Sequence, residues 1–262
     1  RTKLIEGMLA RGYEQEFAER IFDQILGFGE YGFPESHSAS FAVLAYCSAW
    51  LKHYHPEAFY ASLLNSLPMG FYSASQLVQD ARRHNVLILP VCVNQSHYDH
   101  QVVHCGNRLA IRLGFRQVKG FSAESALQLL KARGKQGFQH PKQLKHIGLN
   151  QRDLELLASA NAMQTIANNR FQTRWAMMDS LSDLPLFKDL EEPQSDSISK
   201  PSEVQTLLED YSSIGLSLSK HPITLLEQAG VLGRFTRMKE LIHKPHQSLV
   251  TIVGVVTGKQ AP

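Results

Sequence analysis

The sequence lacks long apolar runs, paired cysteines and the common catalytic motifs. Its 262 residues include only three cysteines, Cys47, Cys92 and Cys105, and none has Cys-x-x-Cys spacing. Such an odd, scattered set argues against a disulfide-stapled secreted scaffold and indicates a reducing, cytoplasmic setting. No apolar run approaches the roughly 18 residues of a membrane span, so we expect no membrane partner.

The missing motifs exclude most simple enzyme classes. The sequence has no P-loop, no nucleophile elbow and no His-Glu-x-x-His. It also has no Asp-x-Asp pair, whereas two-metal phosphoryl chemistry needs carboxylates that hold ions about 4 Å apart. Acidic residues such as Glu14, Glu16 and Glu19 fall on predicted helix surfaces, where charge is usually solvated. We therefore expect neither a catalytic residue nor a metal ligand in this chain.

What the sequence does contain is typical of a mildly basic globular protein. Hydrophobic residues make up 43% and charged residues 19%, with a formal net charge of +3. A slight positive charge is compatible with a nucleic-acid partner, and the length suits about two domains of ~100–200 residues. The first residues, Arg1-Thr2-Lys3, include no initiator methionine and begin no signal peptide, so we expect a piece of a longer protein.

Apolar spacing and capping signals predict a mainly helical chain. Ser73 and Gln76 form a capping-box pattern, and Pro56 suits the first turn of a helix. The 3.6-residue period gives two short helices within 3–27, broken near Gly12, and further helices at 36–54, 56–67, 74–84, 123–133, 151–159 and 203–210. Residues 164–187 continue the helical pattern, with Trp175, Met177 and Met178 expected to pack in a core.

A small amount of β structure is also predicted. Residues 86–93 are rich in β-branched side chains, and Pro90 restricts them to an edge or end position. Residues 108–113 alternate as a second strand, and the segment between them, 94–107, is expected to be a polar loop. Residues 248–258 are β-branched enough to predict one more strand at the C-terminus.

Cysteine and histidine are concentrated in one segment. Cys92, His97, His100, His104 and Cys105 lie within fourteen residues, and soft ligands at this density could hold zinc. Their spacings match no standard zinc finger or ribbon. The alternative, which we favour, is a strand followed by a polar loop that carries exposed histidines.

Two glycine turns stand between predicted helices. They are Val118-Lys-Gly-Phe-Ser122 and Ile147-Gly-Leu-Asn150. Glycine lets such a turn bend so that successive backbone N–H groups face outward beside a helix N-terminus, where they can bind a DNA phosphate regardless of sequence. Lys119 adds a charge to the first turn, and Ser122 and Asn150 can cap the helices that follow. The pair predicts a tandem helix-hairpin-helix module, with an ordinary helical hairpin as the alternative.

A third glycine-broken turn, 27–34, leads into a nearly charge-free helix that starts with Ser36 and His37. A helix N-terminus with a serine and a histidine is a plausible phosphate site, and a capped core helix is the alternative. The same residues resemble a known family. Tyr-Gly-Phe-Pro-Glu-Ser-His-Ser-Ala-Ser-Phe-Ala at 31–42 is similar to the fingers region of bacterial C-family DNA polymerases.

The branch of that family is indicated by a second block. Residues 65–84, which include Pro-Met-Gly-Phe-Tyr, resemble the error-prone branch rather than the replicative alpha subunit. Replicative relatives usually carry Asn-Lys before the Ser-His pair, where this sequence has Pro34-Glu35. The likeness covers nearly the whole chain, and it implies a parent polymerase several times longer.

The resemblance implies a mainly α fold with five segments. They are the distal fingers at 1–95, a strand-loop element and the tandem helix-hairpin-helix region at 96–187, a linker at 188–202, a helical connection at 203–247 and the truncated start of an OB-fold domain at 248–262. The small β element falls near 86–113, and the first OB-type strand lies at the C-terminus.

The resemblance also implies site residues. Ser36 and His37 would face the incoming triphosphate, and His37 could donate a hydrogen bond to a phosphate oxygen. The expected DNA-binding residues are Lys119, Gly120, Phe121, Ser122, Gly148 and Asn150. Leu184, Leu186 and Phe187 resemble the pentapeptide by which bacterial polymerases bind the sliding clamp, although its leading Gln is Asp183 here. The alternative for these three is a hydrophobic staple at a helix end.

The parent enzyme implied by the family is a DNA-directed DNA polymerase for translesion synthesis and damage-induced mutagenesis. It would act on primer–template DNA and deoxynucleoside triphosphates, with Mg²⁺ held by palm aspartates outside this chain. The sliding clamp and other translesion-synthesis proteins are its expected partners. Three rivals stay open: a replicative alpha-subunit piece, a non-enzymatic DNA-binding or scaffold module, and a protein-interaction module that uses Leu184, Leu186 and Phe187.

Overall fold

The computed structural model describes residues 1–30, 35–70, 72–178 and 198–256, with the side chains of 28–30, 35 and 36 outside the description. The chain divides into two compact units, Arg1–His55 and Pro56–Pro262. The prediction of a mainly helical chain with a small sheet is confirmed. The functional names given to the five sequence segments stay predictions.

The first unit consists of three helices, α1 (Thr2–Leu9), α2 (Gln15–Glu30) and α3 (Glu35–Tyr54). The predicted break is present, because Gly12 has a φ of 84° between α1 and α2. Among the described residues of this unit only Ala18 is buried. Large side chains of α3 such as Tyr46 and Trp50 are exposed, although a helix that is apolar all round normally lies inside a larger body. The unit therefore has almost no core of its own.

The second unit contains the other helices of the described residues. They are α4 (Pro56–Asn65), α5 (Ala74–Arg83), α6 (Ala123–Ala132), α7 (Gln151–Ser159), α8 (Gln164–Ala167), α9 (Arg170–Met178), α10 (Glu203–Ser213), α11 (Pro222–Gln228) and α12 (Met238–Leu241). Short 3₁₀ helices at Phe115–Gln117 and Pro141–Ile147 precede α6 and α7. The predicted Ser73–Gln76 capping box is present at α5. One hydrophobic core, running from Tyr60 in α4 to Leu216 after α10, includes residues of α4, α5, α6, α7 and α9 and of the sheet.

A three-stranded sheet lies against this core, with β1 at Leu87–Leu89, β2 at Gln101–Cys105 and β3 at Arg108–Arg112. The strand order is β1-β3-β2, with β1 parallel and β2 antiparallel to β3. β1 is shorter than predicted because it ends before Pro90, which has no N–H for a ladder. The prediction of a polar loop over 94–107 is wrong for its last part, since pairing with β3 turns 101–105 into a strand.

Two further expectations from the sequence are corrected. Residues 248–256 form no strand, because no strand in the described part of the chain pairs with them and a lone strand is not stable in water. Met177 is buried as expected, but Trp175 and Met178 are 64% and 75% exposed. Only one face of the nine-residue α9 contacts the core. Consecutive apolar residues point to different faces of a helix, so some of them lie in solvent.

Candidate nucleic-acid interface

The first glycine turn is built as the sequence predicts. Gly120 has a φ of 81°, which favours glycine, and Ser122 caps α6 by accepting the N–H of Ser125. The side chain of Phe121 is buried and packs against Phe115, with ring centroids 5.7 Å apart. Phe121 therefore anchors the turn, and its ring is not exposed to a DNA strand.

The second turn repeats this construction. Gly148 has a φ of 86° at the end of the 3₁₀ helix, and Leu149 is buried. Asn150 caps α7 by accepting the N–H of Asp153 at 2.7 Å. Both turns thus consist of a left-handed glycine, a buried anchor and a polar cap, in the same order.

The two helix N-termini are joined by hydrogen bonds. Ser125 Oγ in α6 donates to Asp153 Oδ2 in α7 at 2.7 Å, and Ser125 Oγ also lies 2.8 Å from Ser122 Oγ. Ser125 and Asp153 are both buried, so this link is shielded from water. It fixes the spacing between the two hairpins, which sequence reasoning could not supply.

Backbone donors are available at the first turn. Within the part of the chain that the structure describes, the N–H groups of Gly120, Ser122 and Ala123 donate to no other residue. They lie at the N-terminus of α6, where the helix dipole adds a partial positive charge. Outward N–H groups beside a helix N-terminus can bind an anionic oxygen such as that of a phosphate.

Lys119 has a structural partner that the sequence did not reveal. Its Nζ donates to the carbonyl of Tyr211 at 2.7 Å, and its backbone N–H donates to Ser213 at 2.8 Å. Gln117 donates to Ile214 at 2.7 Å. The first hairpin thus satisfies the carbonyls at the C-terminal end of α10, where a cation also complements the helix dipole. An ammonium has three donors, so Lys119 keeps capacity for a phosphate.

A second cation at the first turn was missed from the sequence. Arg152 lies exposed in the first turn of α7, and a Cβ added at Gly120 would lie 3.4 Å from its Nη2 atom. Among the described residues no carboxylate forms an ion pair with it. A cation in the first turn of a helix is unfavourable because it opposes the helix dipole. This unusual position of Arg152 is the signal in the sequence that could have identified it as a candidate binding residue.

The other predicted site residues lie in different parts of the chain. Ser36 and His37 lie in the first turn of α3, and the exposed ring of His37 contacts Phe41 with centroids 4.4 Å apart. Leu184, Leu186 and Phe187 lie outside the described residues, as does most of the predicted linker. No helix in the described ranges has the length and apolar character of a membrane span.

The possible zinc ligands are not gathered into one site. Cys92 is buried with its Sγ 3.6 Å from Thr165 Oγ1, whereas His104 and Cys105 are exposed on β2. Across the described residues no three His, Cys, Asp or Glu side chains converge as a metal would require. These residues fit neither zinc nor the Mg²⁺ of a polymerase, so no chemical step in this chain is derived through a metal.

The expectation of exposed loop histidines is wrong for His100. This side chain is buried, and its Nδ1 accepts the N–H of Gly114 at 3.1 Å. The pKa of His100 is lowered from 6.5 to about 4, mainly by burial and also by the nearby Arg116, while Asp99 opposes the shift. Between these two pH values the imidazole is therefore neutral in the folded protein and protonated in the unfolded chain.

The stability of the chain should reflect this buried histidine. Because the unfolded state binds the extra proton, the free energy of unfolding falls as the pH drops from about 6.5 to about 4, by roughly 2–3 kcal/mol. We expect His100→Asn to remove most of this fall in urea unfolding measured across that range. The exposed His104→Asn is the control and keeps it. An unchanged pH dependence in His100→Asn would contradict the buried neutral histidine.

Comparisons with known proteins agree with this geometry. A family model described as the helix-hairpin-helix motif matches residues 85–173. The chain is 64% identical over 263 residues to the Error-prone DNA polymerase of Vibrio campbellii, covering 100% of this chain and 26% of that protein. It is 46% identical over 267 residues to that of Pseudomonas paraeruginosa, with 100% and 26% covered. For Idiomarina loihiensis the identity is 45% over 265 residues, with 99% and 25% covered.

These curated relatives share one name and one aligned segment. The chain spans about a quarter of their length. The predicted resemblance is confirmed, including its error-prone branch. The chain is homologous along its whole length to a segment of proteins named Error-prone DNA polymerase, and its residues 85–173 match the helix-hairpin-helix motif.

Proposed function

We propose that this chain is the DNA-positioning part of an error-prone, DNA-directed DNA polymerase. The observation that carries the proposal is the pair of glycine turns, joined through Ser125 and Asp153, with N–H groups at the first turn that donate to no other described residue. Such a pair would hold two phosphates of duplex DNA without reading bases. Non-specific binding suits a polymerase, which must move along any sequence.

In this proposal each glycine turn binds one DNA phosphate. The N–H groups of Gly120, Ser122 and Ala123 bind one phosphate oxygen, and the guanidinium of Arg152 neutralises its charge. Lys119 supplies a second, weaker contact, since one of its donors is already held by Tyr211. The second turn, with Gly148 and Asn150, binds a further phosphate in the same manner.

The first unit takes the incoming nucleotide in this proposal. Ser36 and His37 lie in the first turn of the 20-residue helix α3, whose N-terminus favours the triphosphate. The largely exposed apolar surface of α3 packs against other parts of the parent polymerase, because a helix apolar on all sides is normally buried.

The remaining roles concern the parent protein. We propose that it extends primers across lesions, with Mg²⁺ held by carboxylates outside this chain, and that it acts in the cytoplasm, where bacterial DNA lies. Leu184, Leu186 and Phe187 would bind the sliding clamp, and other translesion-synthesis proteins would recruit the enzyme. The names of the relatives support the polymerase activity, and the poor match at Asp183 makes the clamp contact the weakest of these proposals.

The DNA contact is tested by fluorescence anisotropy of the 262-residue chain with a labelled duplex over a salt series. Arg152→Ala should weaken binding equally for unrelated sequences and reduce the slope of log K against log salt by about 1. Lys119→Ala should reduce the slope by a similar or smaller amount.

The control is Lys131→Ala, an exposed lysine in the last turn of α6, far from the turn. It removes the same charge and should leave the slope unchanged. Equal slopes for the wild type, Arg152→Ala and Lys119→Ala would show that the first hairpin contacts no phosphate and would overturn the proposal.

A further inference from the structure

A cavity of about 510 Å³ lies beside the first hairpin and has no role in the contacts described so far. It is bounded by the end of α4 and the turn after it, the N-terminus of α5, the loop before β2 and the 3₁₀ helix before the first glycine turn. All of these elements belong to the second unit. The volume is within the range of small-ligand sites and is large enough for one nucleotide.

One part of the cavity wall is apolar and aromatic. Leu64 is fully buried at its lining, and Met69 and Tyr98 are partly buried. Tyr72 also lines the cavity and is 64% exposed. A large exposed aromatic ring beside an apolar cavity offers a face on which a flat heterocycle can stack.

The charge of the lining favours an anion. Of the lining residues that the structure describes, Arg116 and Lys119 are cationic and none is Asp or Glu. Arg116 is balanced by Asp99 at 2.9 Å and also donates to the backbone carbonyls of Asn65 and Leu67. The remaining positive charge is that of Lys119, which suits one singly charged phosphodiester better than a triphosphate.

A hydrogen-bond donor completes the lining. His100 accepts a hydrogen bond at Nδ1 from Gly114, so the neutral ring carries its proton on Nε2. That N–H can donate to a carbonyl oxygen or ring nitrogen of a base. The cavity thus combines a stacking face, a neutral donor and one positive charge that no described carboxylate balances.

We propose that this cavity takes one unpaired nucleotide of a single-stranded DNA segment, with the base stacked on Tyr72 and the phosphodiester beside Lys119. The inference rests on the proposed DNA binding, because Lys119 belongs to both the cavity and the first hairpin. Bases within a duplex are already paired and stacked, so only an unpaired base can enter. The cavity would hold a strand end or template overhang next to the duplex on the hairpins.

The test is anisotropy of the 262-residue chain with a labelled oligothymidine and, separately, with a duplex. Tyr72→Ala should lower the affinity for the oligothymidine about tenfold and leave the duplex affinity unchanged. Tyr72→Phe keeps the ring and should keep the affinity. Trp175→Ala removes an equally exposed aromatic side chain, 64% accessible on α9 outside the cavity, and should change neither affinity.

A competition arm separates strand from free nucleotide. Thymidine monophosphate should displace the oligothymidine only weakly. If Tyr72→Ala lowers the affinity for the monophosphate but not for the oligothymidine, a free nucleotide is the ligand and the proposal is overturned. It is also overturned if strand affinity is equal in the wild type and Tyr72→Ala, or falls equally in Trp175→Ala. Failure of the hairpin proposal is seen separately, as unchanged duplex binding in Arg152→Ala.

Discussion

Substituting Gly114 by alanine is expected to lower the free energy of unfolding by about 3 kcal/mol or more. Gly114 lies between β3 and the 3₁₀ helix of the first hairpin. A Cβ there would overlap the backbone oxygen of Tyr98 and lie 2.5 Å from the carbonyl carbon of Asp99. Because these are backbone atoms, no side-chain rotation can relieve the clash, and the loop must move.

The loop that must move carries several contacts of the second unit. Phe115 donates its backbone N–H to His97, and Arg116 donates to Tyr98, at 2.9 and 3.0 Å. Displacing it would therefore disturb the hairpin together with the buried His100. Urea unfolding of Gly114→Ala measures the effect.

Gly134→Ala is the matched control for this substitution. A Cβ at Gly134 meets nothing within 4 Å, and its φ is not in the left-handed region. Its stability should change by no more than about 0.5 kcal/mol. A Gly114→Ala variant as stable as Gly134→Ala would contradict the close approach of the two backbone segments.

Replacing Arg170 by methionine is expected to cost about 3–5 kcal/mol of stability. The side chain of Arg170 is 2% exposed, with Nη2 2.7 Å from Asp210 Oδ1 and Nη1 3.3 Å from Glu209 Oε2. Asp210 is buried as well. Removing the guanidinium leaves the Asp210 carboxylate shielded from water and without its cation, with only the Ser217 hydroxyl donating to it, so the cost exceeds that of a surface ion pair.

The loss of stability in Arg170→Met should also affect the first hairpin. Arg170 begins α9, and its partners lie on α10, whose C-terminal carbonyls receive the hydrogen bonds of Lys119 and Gln117. Releasing α10 should loosen the first hairpin. Chemical denaturation of Arg170→Met is compared with Arg237→Met, which removes an exposed pair with Glu227 and should cost under about 1 kcal/mol. Equal losses in the two variants would contradict the buried role of Arg170.

The local parts of the candidate site could be predicted from the sequence. Gly120 and Gly148 were identified because a tight turn before a helix requires a left-handed residue, and both have that conformation. Ser122 and Asn150 were identified as caps because capping depends only on the next three residues. Each of these features is decided within one turn of helix.

The long-range parts could not be predicted in the same way. The carbonyl that holds Lys119 belongs to Tyr211, 92 positions away. Arg152 meets Gly120 only because Asp153 and Ser125 join the two hairpins. The strand β2 forms by pairing with β3, and the polar residues at 94–100 hid the strand signal of Val102 and Val103. Periodicity and spacing report on neighbours along the chain, and these contacts depend on tertiary packing.

Amide hydrogen exchange of the 262-residue chain, with and without saturating duplex DNA, reports directly on the backbone N–H groups that we propose bind phosphate. We expect slower exchange on binding at Gly120, Ser122 and Ala123 and at the second turn around Gly148. The exposed turn at 244–247 should be unaffected and serves as an internal reference. Bound DNA with unchanged exchange at both glycine turns would contradict the hairpins as the DNA-binding surface.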